Sequence, residues 1–313
     1  MHTIGIDMSK ASFHAAFDEK TVIIFKNTND GISSFVETLV TRGCTKDDTL
    51  IGTEATGVYH LLLCARLSEQ GWHIKVINPL VAHRAISATL RKVKTDKHDA
   101  LAIRRVLLLG AGYLYADTSE TLAFKTLFGQ RETLVYMRAK LRQQSHNHRT
   151  RQQAVSVPLH DGFGVVMRTL TVEIGRIEKK LPYHDAHTQT LLRSIPGVGT
   201  VTSAALVAHI GDIRRFSSPE KLVAYIGLDC RVHESGTSIR GKGYITKRGN
   251  RCLRHVLFNA AFIAKRHNPA LREYFEKKVK EGKHYLSALC AVERKLVHII
   301  FAVWTRGTPF EDR

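Results

Sequence analysis

An α/β domain at the N-terminus followed by a mostly helical remainder is the fold class this 313-residue sequence predicts. Three observations lead there. Short apolar runs crowd the first 80 residues, helix and strand patterns then alternate, and no proline interrupts the chain between Pro79 and Pro158. Hydrophobic residues make up 43 % of the chain, enough to build more than one core.

The elements follow in order. "HTIGID" (2–7), "SFHAAFD" (12–18) and "TVIIFKN" (21–27) are strand-like and close enough to form a meander. "GISSFVETLVTR" (31–42) carries helical apolar spacing, and "TLIGTEAT" (49–56) reads as a strand up to Glu54. "GVYHLLLCARLSEQ" is again helical, and "HIKVINP" closes a βαβ unit. Three neighbouring strands and then alternation is the order of a ribonuclease H-like sheet. Residues 119–153 predict one long helix, with 165–181 as an antiparallel partner in a helical, coiled-coil-like segment. After Pro182, "LLRSIPGVGTVTSAALVAHIGDIRRF" has the helix, glycine turn and helix of a helix-hairpin-helix-like element. Its turn offers N–H groups to a phosphate, or close packing to a neighbouring helix. The boundaries expected are 1–116, 117–184 and 185–313.

Charge points to partners. Forty-seven Lys and Arg against 28 Asp and Glu give a formal net charge of +19. The excess is +3 over 1–116 (14 basic, 11 acidic), +5 over 117–184 (11 and 6) and +11 over 185–313 (22 and 11). From Gly236 to Arg272 nine basic residues pass without one acid. A polyanion is the expected partner. The five cysteines are scattered and never in CxxC spacing, as expected of reduced thiols. No signal-peptide pattern opens the chain, and its apolar runs are shorter than the ~20 residues that span a bilayer. A soluble cytoplasmic protein with no membrane partner is the expectation.

The acids stand out against this basic background. Asp7 ends the first strand, Glu54 ends the fourth, and Asp96 and Asp99 lie three apart within "LRKVKTDKHDALAIRR" (90–105). Like charges at that helical spacing repel by roughly 0.2–0.5 kcal/mol. Carboxylates at strand ends of a mixed sheet converge where ligands gather, and four together stay ionised only around cations. Two divalent ions about 3.5–4 Å apart would suit in-line displacement at phosphorus. Lys92, Lys94 and Lys97 would face the incoming backbone. Taken singly, Asp96 could equally cap a helix and Asp99 pair with a lysine.

With those residues in view, "IGIDMSK", "TEATGVY" and "KTDKHDA" resemble the successive acidic motifs of the DEDD transposases of the insertion sequence 110, Piv-type, family. "IPGVGTVTSAAL", "AYIGL" and "HESGTSIRGKGYITKRGNRCLRHVL" resemble the second domain of that family, and the match runs in order along nearly the whole chain. The resemblance implies a RuvC-like N-terminal domain with Asp7, Glu54, Asp96 and Asp99 as ligands of Mg2+, Mn2+ substituting. It implies a C-terminal serine nucleophile, donor and target DNA as substrates, a structured non-coding guide RNA, and a homo-oligomer, dimer or tetramer.

On their own terms, Ser235 and Ser238 share a glycine-bounded loop with Arg240, Lys242, Lys247, Arg248 and Arg254, which could neutralise charge on a phosphate. A serine hydroxyl needs activation, and the loop holds no obvious base. Both serines could also merely cap a turn; the family match favours Ser235. Two alternatives stand beside the recombinase. One is a metal-dependent junction nuclease using the same acids with the serine idle. The other is a non-catalytic nucleic-acid-binding protein, which would have no use for clustered carboxylates.

Overall fold

The structure, a computed structural model, describes residues 2–55, 57–87, 96–158, 160, 162–230, 234–235, 239–240 and 245–311; of 85–87, 234, 235, 239 and 240 it describes the backbone only. Lys92, Lys94, Ser238 and Lys242 lie outside the described residues, and for Ser235 and Arg240 no side-chain statement is made. The chain divides into two compact units, 1–119 and 120–313. The helical segment expected over 117–184 falls almost wholly within the second.

In the first unit, strands β1 (His2–Met8), β2 (Ser12–Ala16) and β3 (Val22–Lys26) form an antiparallel meander. Helix α1 (Asn29–Thr41), capped by the Thr28 hydroxyl, leads to β4 (Thr49–Glu54). Then come α2 (His60–Glu69), β5 (His73–Ile77), α3 (Pro79–Ser87), α4 (Asp96–Leu108) and the two-residue β6 (Tyr113–Leu114). The sheet order is β3-β2-β1-β4-β5-β6, with β1, β4 and β5 mutually parallel. Mixed α/β architecture is therefore what the sequence predicts and what forms.

Alternation along β1 decides how the sheet is covered. Ile4 and Ile6 pack with Phe13, with Phe35 of α1 and with Leu63 of α2, all essentially fully buried. Thr3, Gly5 and Asp7 face the other side, where α4 lies. The Arg104 Nε donates to the Thr3 carbonyl at 2.9 Å, and Arg104 and Arg105 both pair with Glu19. Gly5 leaves no room for a side chain: a Cβ there would stand 2.3 Å from the Arg104 nitrogen and 2.4 Å from the Ala100 oxygen. On β4, Gly52 likewise receives Leu107. Helix α4 thus lies directly on the backbone of β1 and β4, running antiparallel to β1.

Among the described residues the second unit is helical apart from two short pairings. Helix α5 (Ser119–Gln152) is 34 residues long, about 51 Å at helical rise. Helix α6 (Phe163–Lys180) returns along it, with Arg131 paired to Glu178 at 2.7 Å, Arg138 near Thr171 and His148 against Phe163. Helices α7 (Ala186–Arg193), α8 (Thr200–Ile210) and α9 (Pro219–Ile226) follow. After them come β7 (Glu234–Ser235), β8 (Ile239–Arg240), α10 (Arg251–His267), α11 (Pro269–Lys280) and α12 (Tyr285–Arg306). One core joins α7–α12 with Phe124 and Phe128 of α5. In the "PGVG" turn Gly197 takes φ +92°, and a Cβ there would meet the Ala260 carbonyl oxygen at 2.5 Å. Close packing against α10 accounts for that glycine.

The segments on either side of residues 231–244 are joined backbone to backbone. Thr246 and Lys247 donate to the carbonyls of Asp229 and Gly227, Asn250 donates to that of Tyr225, and Cys230 bridges Ile245. Arg254 reaches in from α10, its Nη1 donating to the Ile226 and Gly249 carbonyls at 2.7 and 2.8 Å. Glu293 on α12, 2 % exposed, lies near Arg254; burial pushes its carboxyl up to about 8, with the guanidinium opposing the rise. Gly249 is the tightest point, since a Cβ would stand 2.1 Å from the Tyr225 oxygen. We expect Gly249→Ala to part the two segments, at about 1–3 kcal/mol. Thermal unfolding of the full chain would register that as a fall of about 2–12 °C; an unchanged Tm would mean the clamp yields freely.

Candidate functional site

The packing of α4 on β1 brings the acids together. Along α4, Arg104 meets Thr3 and Ala100 meets Gly5, so the first turn, with Asp96 and Asp99, arrives at Asp7. In the parallel register Ile6 pairs with Thr53, which sets Glu54 level with Asp7 at the C-terminal ends of adjacent strands. Acids in the first turn of α4 also gain from the helix dipole, by about 0.3–1 kcal/mol. The Asp7 carboxyl is pushed up to about 7, first by burial, then by the charges of Asp99, Asp96 and Glu54 in that order. Three carboxylates thus act on Asp7.

A fifth group, absent from the expectations, completes the cluster. His14 stands directly opposite Asp7 across the β1–β2 pair, and its Nδ1 lies 3.9 Å from an Asp96 oxygen. One donor atom each from Asp7, His14 and Asp96 fall within 4.8 Å of one another. Period-two alternation in "SFHAAFD" suggested only a strand; the signal for His14 lay in the register of the hairpin, which a single strand's pattern does not carry.

Chemically the donor set fits a divalent cation. Carboxylate oxygens suit Mg2+ and Mn2+, and imidazole shifts preference toward borderline metals. A cation would also offset the burial and the like charges that raise the Asp7 carboxyl. Removing the imidazole by His14→Ala is expected to weaken Mn2+ binding by about 10–100-fold, read by calorimetry or by the Mn2+ spin-resonance signal. Equal affinity in the variant would place His14 outside the ligand set.

The basic residues sort by exposure. Lys97 is exposed at the start of α4, and Lys247 and Arg248 are exposed beside the clamp. Arg254, anticipated as a nucleic-acid contact, is half-buried with Nη1 committed to backbone carbonyls. Tyr225 packs within the protein: its hydroxyl donates to the His209 carbonyl, and Arg215 covers its ring at 4.6 Å. The Ser235 backbone pairs with Ile239 in the β7–β8 ladder.

Comparison with known proteins adds an independent line. Residues 4–151 match the sequence model of a DEDD family described as "Transposase", of the IS110 type. Residues 189–276 match one described as "Transposase IS116/IS110/IS902 family". The chain is 28 % identical over 322 residues to the pilin gene-inverting protein of Moraxella bovis, covering 99 % of this chain and 98 % of that one. To the transposase for insertion sequence element IS1328 of Yersinia enterocolitica it is 26 % identical over 346 residues, 98 % of each chain. To the transposase for IS1111A of Coxiella burnetii it is 36 % identical over 122 residues, 38 % of this chain and 33 % of the other.

Proposed function

The chain belongs to the IS110 family of transposases and is a DNA transposase or recombinase, and from that premise we propose that it is RNA-guided and exchanges strands between donor and target DNA through a phosphoserine. The observation that carries the catalytic half of this reading is the convergence of Asp7, Glu54, Asp96 and Asp99 on one end of the sheet, with the Asp7 carboxyl forced to about 7. Burial and neighbouring like charges both work against an ionised Asp7, and a bound cation would offset both.

The four acids are the proposed ligands of Mg2+, with Mn2+ as substitute and His14 beside them. A divalent ion held there supplies charge neutralisation at a phosphate oxygen. Ser235 is the proposed nucleophile: its Oγ forms a new bond to phosphorus as one phosphorus–sugar oxygen bond breaks, and the hydroxyl proton ends on the released sugar oxygen. Attack by a sugar hydroxyl of the other strand reverses the exchange and frees the serine, so no ester bond is lost to water. Lys92, Lys94 and Lys97, near Asp96 and Asp99 in sequence, and Arg240, Lys242, Lys247 and Arg248, which follow Ser235 in sequence, are proposed to hold backbone phosphates. Arg254 ties together the segments that flank that loop, through the Ile226 and Gly249 carbonyls.

Guide RNA would account for sequence choice without a base-reading element, the protein then contacting shape and backbone. The charge of +11 over residues 185–313 is ample for two nucleic acids. Assembly as dimer or tetramer finds support in the exposed apolar side chains of the helical pair, Tyr136 and Met137 on α5 and Val165, Val166 and Val172 on α6. The test is a recombination assay on paired donor and target plasmids. Recombinants should appear only with protein, divalent ion and the transcript flanking the element together. Recombination at full yield without RNA would overturn the guided reading.

A further inference from the structure

Helices α11 and α12 and the chain after Arg306 enclose an open cavity of about 790 Å3, far from the clamp in sequence and without an assigned role. The tail forming its third side is pinned, the Phe310 nitrogen donating to the Ser194 hydroxyl at 2.8 Å. Its floor is apolar, with Leu271, Ile299, Ala302 and Phe310. Its rim is cationic: Lys278, Lys283, Arg294, Lys295 and Arg306, with Glu311 the one carboxylate among the described lining residues.

Each of these cations is partly engaged within the protein. Lys278 pairs with Glu281 at 2.7 Å, and Arg294 contacts the Cys230 sulfur. Lys283 adds to the positive field that lowers the Glu281 carboxyl, Lys295 faces the Tyr274 ring, and the Arg306 Nε donates to the Ala302 carbonyl at 3.2 Å. Arg294, His298, Ala302 and Arg306 recur every fourth residue, a ridge with about 6 Å per step and about 18 Å long. On the facing helix Tyr274 presents its ring, with the Lys295 ammonium 4.4 Å from the centroid. The Lys278 ammonium lies over the same ring at 5.4 Å, so a base that stacks on Tyr274 displaces an ammonium, which then meets the phosphate.

We infer that this cavity binds a single-stranded stretch of nucleic acid, one base seated on Tyr274 and the apolar floor while successive phosphates lie along Lys283, Lys295 and Arg306. The inference rests on the reading of the chain as a nucleic-acid recombinase and deepens it by naming a second contact region. Cationic grooves with interleaved aromatics hold single strands without regard to sequence. A ridge about 18 Å long exceeds one nucleotide, and the apolar floor has no use for a duplex backbone, which offers no unstacked base.

The experiment compares the full chain with Lys283→Gln/Lys295→Gln/Arg306→Gln and, separately, with Tyr274→Leu. Labelled oligothymidylate, oligouridylate and duplex DNA are titrated by fluorescence anisotropy at several salt concentrations, with folding verified by circular dichroism. The triple variant should lose about two units of the single-strand salt slope, at roughly 0.7 per phosphate contact. Tyr274→Leu should weaken single-strand binding by about 5–100-fold with the slope preserved, as expected for one lost stacked base. A loss confined to the DNA or to the RNA strand names the natural occupant and upholds the site. Unchanged slope and affinity in both variants, or a loss confined to duplex, overturns it. Recombination is assayed in parallel: wild-type protein that binds these strands but never recombines donor and target refutes the enzymatic reading and leaves the groove intact.

Discussion

Replacing Asp7 by Asn should reduce DNA cleavage by about a thousand-fold or more, the scale expected when a preorganised charge at a phosphoryl-transfer site is removed. The same substitution should make the metal-free protein more stable. In the fold the Asp7 carboxyl titrates near 7 against an ordinary value of 3.8. Folding therefore favours its protonated form: the associated stability is complete below about pH 3.8 and is lost as pH rises through 7. Asparagine carries no charge to repel Asp99, Asp96 and Glu54, so its advantage grows across that window. In chelator at pH 8 we expect Asp7→Asn to melt about 2–4 °C above wild type, converging with it near pH 4. Added Mg2+ or Mn2+ should raise the wild-type Tm and leave the variant nearly unmoved. An active Asp7→Asn, or one less stable at pH 8, would remove the acid cluster from the mechanism.

Gly5→Ala is the second large effect, and it acts without touching a charged group. The new methyl would stand 2.3 Å from a backbone nitrogen of α4 and 2.4 Å from a backbone oxygen. Neither atom can swing aside as a side chain would, so the helix must lift from β1. Lifting α4 carries Asp96 and Asp99 away from Asp7 and Glu54. Displacement by about 1 Å costs a site of this kind on the order of 100-fold in rate. The overpacking itself should cost about 1–3 kcal/mol. Cleavage assays beside Mn2+ titrations would show both losses together. Wild-type metal affinity in Gly5→Ala would mean that the acids do not depend on the seating of α4.

How much of this was visible in the chain beforehand varies residue by residue. The strands to β5 and the long helix α5 could be read because period-two runs and helix formers act locally. Asp7 and Glu54 were visible as acids ending apolar runs, and Asp96 and Asp99 as acids among lysines. Their convergence was an inference from fold order; the packing that produces it was not legible. Gly5 reads as one more small residue in a strand, and only the arrival of α4 makes its missing side chain essential. His14 is invisible for a related reason, since cross-strand register is a property of two strands. Arg254 shows the limit from the other side. A basic residue in a basic stretch suggests a phosphate, yet charge says nothing of burial, and this guanidinium serves two carbonyls between α9 and α10. Its neighbours Lys247 and Arg248, equally basic, are exposed.

The central claim is that DNA is cut by covalent transfer to a serine, and a denaturing gel tests it most directly. Labelled donor and target DNA would be incubated with protein, Mg2+ and the flanking transcript, using wild type, Ser235→Ala and Asp7→Ala. We predict a retarded, protease-sensitive band in wild type alone, marking protein joined to DNA, with neither mutant forming it. Cleaved DNA without that band, still produced by Ser235→Ala and lost in Asp7→Ala, would contradict the account and make the chain a metal-dependent nuclease whose serine stands idle.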